Sequence, residues 1–384
     1  MEHYNPIFSK VPTLRFAEFT DEWGKYELSH FVTRITRRNK NNESSLPLTI
    51  SAQYGLVDQI SFFNKTVASV DLSGYYLLYN GDFAYNKSYS NDYAWGAVKR
   101  LDKYEKGCLS SLYFVFRPND NVDSDYLTHY FESSKWHKGI SNIAGEGARN
   151  HGLLNMAVDD YFATKHYLPS LPEQKKIARF FNAITKRIEI QNKIIEDLKV
   201  LKKELNYSLI GRIINGKSSN CKIEDVIDYE QPTNYIVKSD KYIENGKTPV
   251  LTANKAFLLG YTIENEGVYN KSDCIILDDF TLDFKYVNFP FKIKSSAIKI
   301  LTAKKDIELR YFYEYLLFLG LTSHEHKRHY ISEIAPLPLY LPSIDEQRNA
   351  LSALNSISKK IKVEENYIIA LKAQKCFFLR AMFI

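Results

Sequence analysis

Hydrophobic positions in two stretches of this chain step by alternating four and three residues, the spacing that lays an apolar stripe along one side of an α-helix. The first stripe runs Ile177, Phe181, Ile184, Ile188, Ile195, Leu198, Leu205, Leu209, and the second Ala350, Leu354, Ile357, Ile361, Ile368, Leu371, Phe378, Met382. Both turn polar at matching places, Gln191 and Lys202 in the first, Glu364 and Lys375 in the second. The pattern predicts two helices of about 40 residues, each about 60 Å long at 1.5 Å per residue. So narrow a stripe does not stabilise a lone helix in water, so each helix is expected to bury its seam against the other.

The two stretches are copies. Leu168 to Gly211 and Leu341 to Ile384 align without a gap at an offset of 173, with 13 of 44 positions identical, and open on LPSLPEQ and LPSIDEQ. Pro169 and Pro172 suit the start of a helix, Ser170 is a candidate cap ahead of Glu173-Gln174, and Ser343 stands three residues before Glu346 as in a capping box. Each copy follows a longer segment of unlike sequence. The chain therefore reads as globular domain then helix, twice over: domains at 1–165 and 217–336, helical segments at 166–216 and 337–384. If the helices pair antiparallel, the domains would lie at opposite ends of a rod. A helical hairpin inside one compact core is the simpler alternative, disfavoured because more than a hundred residues separate the helices and the copies include their start signals.

The globular segments show short apolar runs between turns: Tyr75 to Tyr79 before Asn80-Gly81, Leu112 to Phe116, Thr248 to Leu251, Cys274 to Leu277 and Ala297 to Leu301. Each segment then has an aromatic helical run, Asp125 to Trp136 and Arg310 to Leu319, followed by a polar stretch, GEGARNHG (145–152) and HEHKRHYIS (324–332). The expected class is mixed α+β: two globular domains, two long antiparallel coiled-coil helices and a pseudo-twofold internal repeat.

Composition adds limits. The net charge of +6 lies in the helical segments, +5 over 166–216 and +3 over 337–384, while each domain sums to −1. Overall charge is therefore weak evidence for a nucleic-acid partner, and a binding surface must come from local clustering. The four cysteines, Cys108, Cys221, Cys274 and Cys376, are scattered, which points to a reducing cytosol and away from a zinc site. The opening MEHYNPIFSK lacks the apolar run of a signal peptide, and the longest apolar run, Tyr311 to Leu321, falls short of the ~20 residues a membrane span needs. A cytoplasmic protein without a membrane partner is expected.

Catalytic signatures are absent. There is no GxxxxGK[ST] phosphate loop and no Gly-rich S-adenosylmethionine signature. Asn5-Pro6-Ile7-Phe8 echoes the NPPF/Y motif of adenine methyltransferases but departs at its third position and has no strand before it. Asp278, Asp279, Asp283 and Lys285 resemble a nuclease cluster, yet the run IILDDFTLDFK reads more simply as a strand ending in a turn. His129, His137, His151, His324 and His326 lack metal-ligand spacing. Tyr85, Trp95, Tyr261 and Tyr269 sit among polar residues where rings could stack on bases, although core packing explains aromatics more often.

The opening PTLRFAEFTDEWGKYELSHF (12–31), NGDFAYNKS (80–88), GARNHGLL (147–154) and the doubled LPxxxEQ helix start together resemble the specificity (S) subunit of type I restriction-modification enzymes, over almost the whole chain. One departure is length: aligning Glu27-Leu28 with Lys222-Ile223 gives an offset of 195 against 173 for the helices, so the first recognition segment is longer by 22 residues. The resemblance implies a non-catalytic subunit with two target recognition domains, each reading half of a bipartite site in double-stranded DNA through the major groove, and helices acting as a ruler. It implies as partners two methyltransferase subunits and two motor-nuclease subunits, with S-adenosylmethionine, ATP and Mg on those partners and no cofactor in this chain. DNA rises about 34 Å per turn, which a rod of the expected length can span.

On this reading, Lys87, Ser88, Arg149, Asn150 and His151 are the candidates for the first half-site. Thr252, Asn254, Lys255, Lys327 and Arg328 are the candidates for the second. Arg and Lys supply charge-assisted donors to phosphate, Asn and His pair with base edges, and glycines admit close backbone approach. Two other readings stand beside it. A coiled-coil adaptor binding proteins would show no salt-dependent DNA affinity, and a stand-alone nuclease would cleave DNA by itself with a metal.

Overall fold

The computed structural model describes residues 10–65, 67–89, 93–144, 149–150 (backbone alone), 153–254, 256–323, 325 and 327–384. The chain divides into two compact units, Met1–Asn192 with Tyr367–Ile384, and Lys193–Asn366. The unit borders thus cut through the two long helices, and each unit holds a mixed α/β domain with a portion of both.

In the first unit a short helix α1 (Leu28–Phe31) leads into an antiparallel sheet of β1 (Val32–Arg34), β2 (Phe83–Asn86), β3 (Ala97–Arg100) and β4 (Phe114–Pro118), in the order β1-β4-β2-β3. Strand β2 is central, and its Phe83, Ala84 and Tyr85 are buried, as a strand covered on both faces requires. Helix α2 (Ser124–Glu132) follows; Asp123 caps it by accepting the Tyr126 N–H at 2.9 Å. Aromatic rings fill the core: Phe83 stacks on Phe116 at 5.6 Å and Tyr85 on Tyr161 at 4.8 Å. A smaller core around Leu48, Leu56, Leu78 and Leu109 is built by two antiparallel strand pairs, Leu48–Ser51 with Gly55–Asp58 and Tyr76–Tyr79 with Lys106–Leu109.

Helix α3 (Leu171–Ile214) begins after Ser170 and ends ahead of Gly216, whose φ of +72° is left-handed. The second unit repeats the plan. Helix α4 (Ile223–Val226) leads into β5 (Ile227–Glu230), β6 (Cys274–Asp278), β7 (Phe284–Val287) and β8 (Ile298–Ala303), ordered β5-β8-β6-β7 and again antiparallel. Helix α5 (Leu309–Leu319) ends at Gly320, whose φ of +60° forms the left-handed C-terminal cap. The final helix is α6 (Ile344–Ala381).

The offset of 195 is met where α1 starts at Leu28 and α4 at Ile223. In both domains a strand pair closes the base, Gly24–Glu27 with Lys165–Leu168 and Cys221–Lys222 with Pro338–Leu339. Ladder register equates Phe83 with Ile275 and Arg100 with Tyr286. With Asp123 matched to Glu308 and Leu168 to Leu341, 6 of the 22 extra residues fall in the β2–β3 connection and 12 between α2 and α3.

Within each unit the long helices run antiparallel. In the first, Phe180 meets Phe378 at 5.0 Å while Arg187 lies 5.3 Å over Tyr367. In the second, Lys199 pairs with Glu365 at 2.9 Å, and Ile210 shares a core with Ala350 and Leu351. The polar breaks in the stripes also have partners. Lys202 pairs at 2.8 Å with the buried Glu314 of α5, whose other oxygen accepts from Asn206 at 2.9 Å. At the matching position Lys375 pairs with Glu132 of α2 at 2.9 Å and donates to Thr185 at 2.9 Å.

The doubled helix start is a staple. Gln174 accepts the N–H of Asp123 at 2.8 Å and donates to the Pro169 carbonyl at 2.9 Å; Gln347 accepts the N–H of Glu308 at 2.8 Å and donates to the Pro342 carbonyl at 3.0 Å. Each glutamine thus ties its long helix to the residue that starts the aromatic helix. The neighbouring glutamates diverge. Glu346 completes a capping box with Ser343, whereas Glu173 is buried under a bidentate Arg15 at 2.7 Å and the Trp23 indole at 3.3 Å.

Candidate nucleic-acid interface

The NGDFAYNKS stretch divides into anchor and edge. Asn80-Gly81 turns the chain with Gly81 at φ +88°. Asp82, fully buried, accepts from Arg37 at 2.9 Å, Arg117 at 2.5 Å and the Tyr79 N–H at 2.8 Å, so both guanidiniums are held against the sheet. Strand β2 follows, and at its end Asn86 accepts the Ser88 N–H at 2.9 Å. Gly96 has φ +77°, and a Cβ there would strike the Asn86 carbonyl, so the connection returns closely over the end of β2.

That end receives the other candidate segment. Arg149–Asn150 and Leu153–Leu154 form a short antiparallel hairpin. The Lys87 carbonyl accepts the Leu154 N–H at 2.9 Å, and Ser88 bridges to Leu153. The fold therefore joins the two candidate segments of the first half-site. The half-buried Lys87 ammonium lies 5.1 Å over the Phe114 ring, and Ser88 is exposed. The backbones of Arg149 and Asn150 belong to the hairpin, and His151 lies outside the described residues.

In the second domain the candidates lie on two separate elements. Thr252 and Asn254 follow the strand Thr248–Leu251 in a tight turn: Thr252 N–H donates to the Phe257 carbonyl at 2.8 Å, and Asn254 Oδ1 accepts the Ala256 N–H at 3.2 Å. Thr252 is buried, Asn254 is exposed, and Lys255 lies outside the described residues. Lys327 and Arg328 precede the π-helical turn Tyr330–Ile334. Lys327 pairs with Glu325 at 2.7 Å and Glu333 at 2.8 Å, and hydrogen bonds to these carboxylates push its pKa up. Its charge is already answered. Arg328 is exposed, with its guanidinium 5.9 Å from the Phe280 ring. His329 anchors this segment, its backbone donating to the Asp279 carboxylate at 3.1 Å and its ring bonded to Glu333 at 2.7 Å.

The remaining chemical candidates resolve structurally. Asp278 closes a turn by accepting the N–H groups of Phe280 and Thr281, while buried Asp279 receives those of His329 and Tyr330 and faces Lys299 at 3.4 Å. Tyr85 and Tyr269 are core residues, and Trp95 and Tyr261 are half-buried. Asn5 to Phe8, His324 and His326 lie outside the described residues. Among the described residues no group of three or more His, Cys, Asp and Glu could hold a metal ion, and no helix is long and apolar enough to cross a membrane.

Residues 35–200 match the family described as Type I restriction modification DNA specificity domain. Over those residues the chain is similar to a type I DNA specificity domain. The resemblance read from the sequence is borne out. The type I restriction enzyme EcoR124I/EcoR124II specificity subunit of Escherichia coli is 40% identical over 139 residues, 35% of this chain, and the match spans 34% of that protein's length. The S subunit of a type I restriction-modification system from M. genitalium has a TM-score of 0.56 at 16% identity, covering 97% of this chain and 99% of that one. A chain from a structure of type I R-M complex assembly and conformational transition has a TM-score of 0.54 at 17% identity, covering 94% and 97%. At these identities the likeness is one of fold, and it extends over both domains and both helices of the specificity-subunit architecture.

Proposed function

We propose that this chain is the sequence-specificity subunit of a cytoplasmic type I restriction-modification system. It reads a bipartite double-stranded DNA target, one half-site per domain, and joins two methyltransferase and two motor-nuclease subunits, which bring S-adenosylmethionine, ATP and Mg. The observation that carries this reading is where the two domains differ. Strand order, helix starts and glutamine staples are kept, while 18 of the 22 extra residues fall in the connections that bear Lys87, Ser88 and the Arg149–Leu154 hairpin. A scaffold kept twice with divergent loops is what two readers of unlike half-sites need. In the first domain, exposed Ser88 and the hairpin supply the contacts to bases and phosphates. In the second, Asn254 and Arg328 are better placed than Lys327, which two carboxylates neutralise.

The test is to co-express the chain with its methyltransferase subunit in a host lacking other modification systems and to map N6-methyladenine genome-wide. A single motif of two short halves around a fixed gap is expected. A stable complex that leaves the genome unmethylated would overturn the proposal.

A further inference from the structure

The repeat supplies an internal comparison at the lysines of the long helices. In the second unit, Lys199, Lys202 and Lys203 line a cavity of about 260 Å³ with the buried Glu314. Lys199 is paired with Glu365 and Lys202 with Glu314, while Lys203 lies 5.8 Å over the Tyr207 ring. In the first unit the residues matching Lys199 and Lys202 are Lys372 and Lys375, which line a cavity of about 370 Å³ with Glu132. The charge balance differs. The position of Glu365 is held in this copy by Asn192, which carries no charge. Strand β3 adds a third ammonium, Lys99, and His137 and Ser134 are among the other polar residues of the lining.

Among the described residues Glu132 is the one carboxylate lining this cavity, and it is already used by Lys375 at 2.9 Å and His129 at 2.9 Å. Burial opposes its charge, but the His129 hydrogen bond and the Lys375 ammonium prevail and hold its pKa at about 2, so it is an anion at any working pH. Among the described residues neither Lys99 nor Lys372 has a carboxylate within ion-pair distance. Burial pushes the Lys99 pKa down, the sign of an ammonium short of compensation. Three ammonium groups, half-buried Lys99 and Lys375 and exposed Lys372, face one engaged carboxylate, an arrangement that favours a matching anion through charge-assisted hydrogen bonds.

We propose that this cavity is a binding site for a small phosphate-bearing anion, held by Lys99 and Lys372 with Lys375, His137 and the Ser134 hydroxyl around it. The site lies in the first unit, where one of the three ammonium groups is paired with a carboxylate, against two of three in its counterpart. The inference stands apart from the DNA reading, because it is tested on phosphate without DNA. The purified full chain is titrated with inorganic phosphate and with pyrophosphate by calorimetry and thermal shift, against chloride at matched ionic strength. One saturable site is expected, with affinity weakened roughly tenfold or more in Lys99→Met and in Lys372→Met. Lys99→Arg retains binding, as does Lys138→Met at an exposed lysine outside the cavity. Should Lys99→Met not fold, Lys372→Met, on an exposed position of α6, carries the test. Stabilisation no greater than that by chloride, or parental affinity in both methionine variants, overturns the proposal. So does a result in which these variants bind phosphate normally but lose affinity for duplex DNA, since the lysines would then serve the nucleic-acid backbone.

Discussion

His166 shows how much a single buried side chain can fix. The Thr164 hydroxyl donates to the Tyr161 carbonyl at 2.7 Å, so it accepts from His166 Nε2–H at 2.8 Å, which leaves Nδ1 to accept from the Tyr130 hydroxyl at 2.7 Å. The ring is thereby held neutral, and burial lowers its pKa to about 4. An unfolded histidine titrates near ~6.5, so the unfolded chain binds more protons between these values. Stability is fully present above about pH 6.5 and declines towards pH 4, by about 3 kcal/mol in total. Denaturant unfolding at pH 7 and pH 5 should show that decline, and His166→Gln should flatten it. Glu314 makes the complementary case, 1% exposed and paired with Lys202 at 19%. Glu314→Leu leaves an ammonium buried and unpaired and should cost about 3 kcal/mol. Adding Lys202→Met should recover most of that loss, which a double-mutant cycle on denaturation midpoints checks.

At the scale of elements, the repeated LPxxxEQ start is chiefly an anchoring device. Gln174 and Gln347 each satisfy the backbone N–H of a helix-starting residue and two loop carbonyls, in places where water does not reach. Gln347→Leu keeps the volume but strands those groups, and should destabilise the chain by about 2 kcal/mol in denaturant titrations. The short hairpin shows the opposite kind of element. Two residues per strand do not fold alone, so Arg149–Leu154 owes its place to Lys87 and Ser88 at the end of β2. Ser88→Pro deletes a backbone donor beside that bridge, and under the proposed function it should lower methylation at one half-site class while leaving the other half unchanged. Sequencing of modified sites reads both at once.

At the scale of the whole molecule, the proposed function makes helix length the variable that sets the gap between half-sites. A four-residue insertion in α3 adds about 6 Å of helix at 1.5 Å per residue, close to two base-pair steps of 3.4 Å. The methylated motif should then keep both halves and widen its gap; a changed half-site sequence would contradict the ruler. Much of this organisation is legible in the chain, because periodic stripes, start signals and a gapless repeat are local patterns repeated at a fixed offset. The strands lie within about two residues of the apolar runs that predict them, as at Tyr76–Tyr79 and Ile298–Ala303.

The twofold plan, the helices, the offset of 195 against 173 and the family resemblance all rest on order along the chain and are readable there. Which polar residues are free to act depends instead on the three-dimensional fold. It buried Asp82 and Glu314 as anchors, neutralised Lys327 with Glu325 and Glu333, and set Ser88 beside a hairpin more than sixty residues away. It also brought Lys99 and Lys372, 273 residues apart, to one cavity. A side chain's availability depends on the charges and hydrogen-bonding groups around it in space, and those come from segments whose proximity no local pattern encodes.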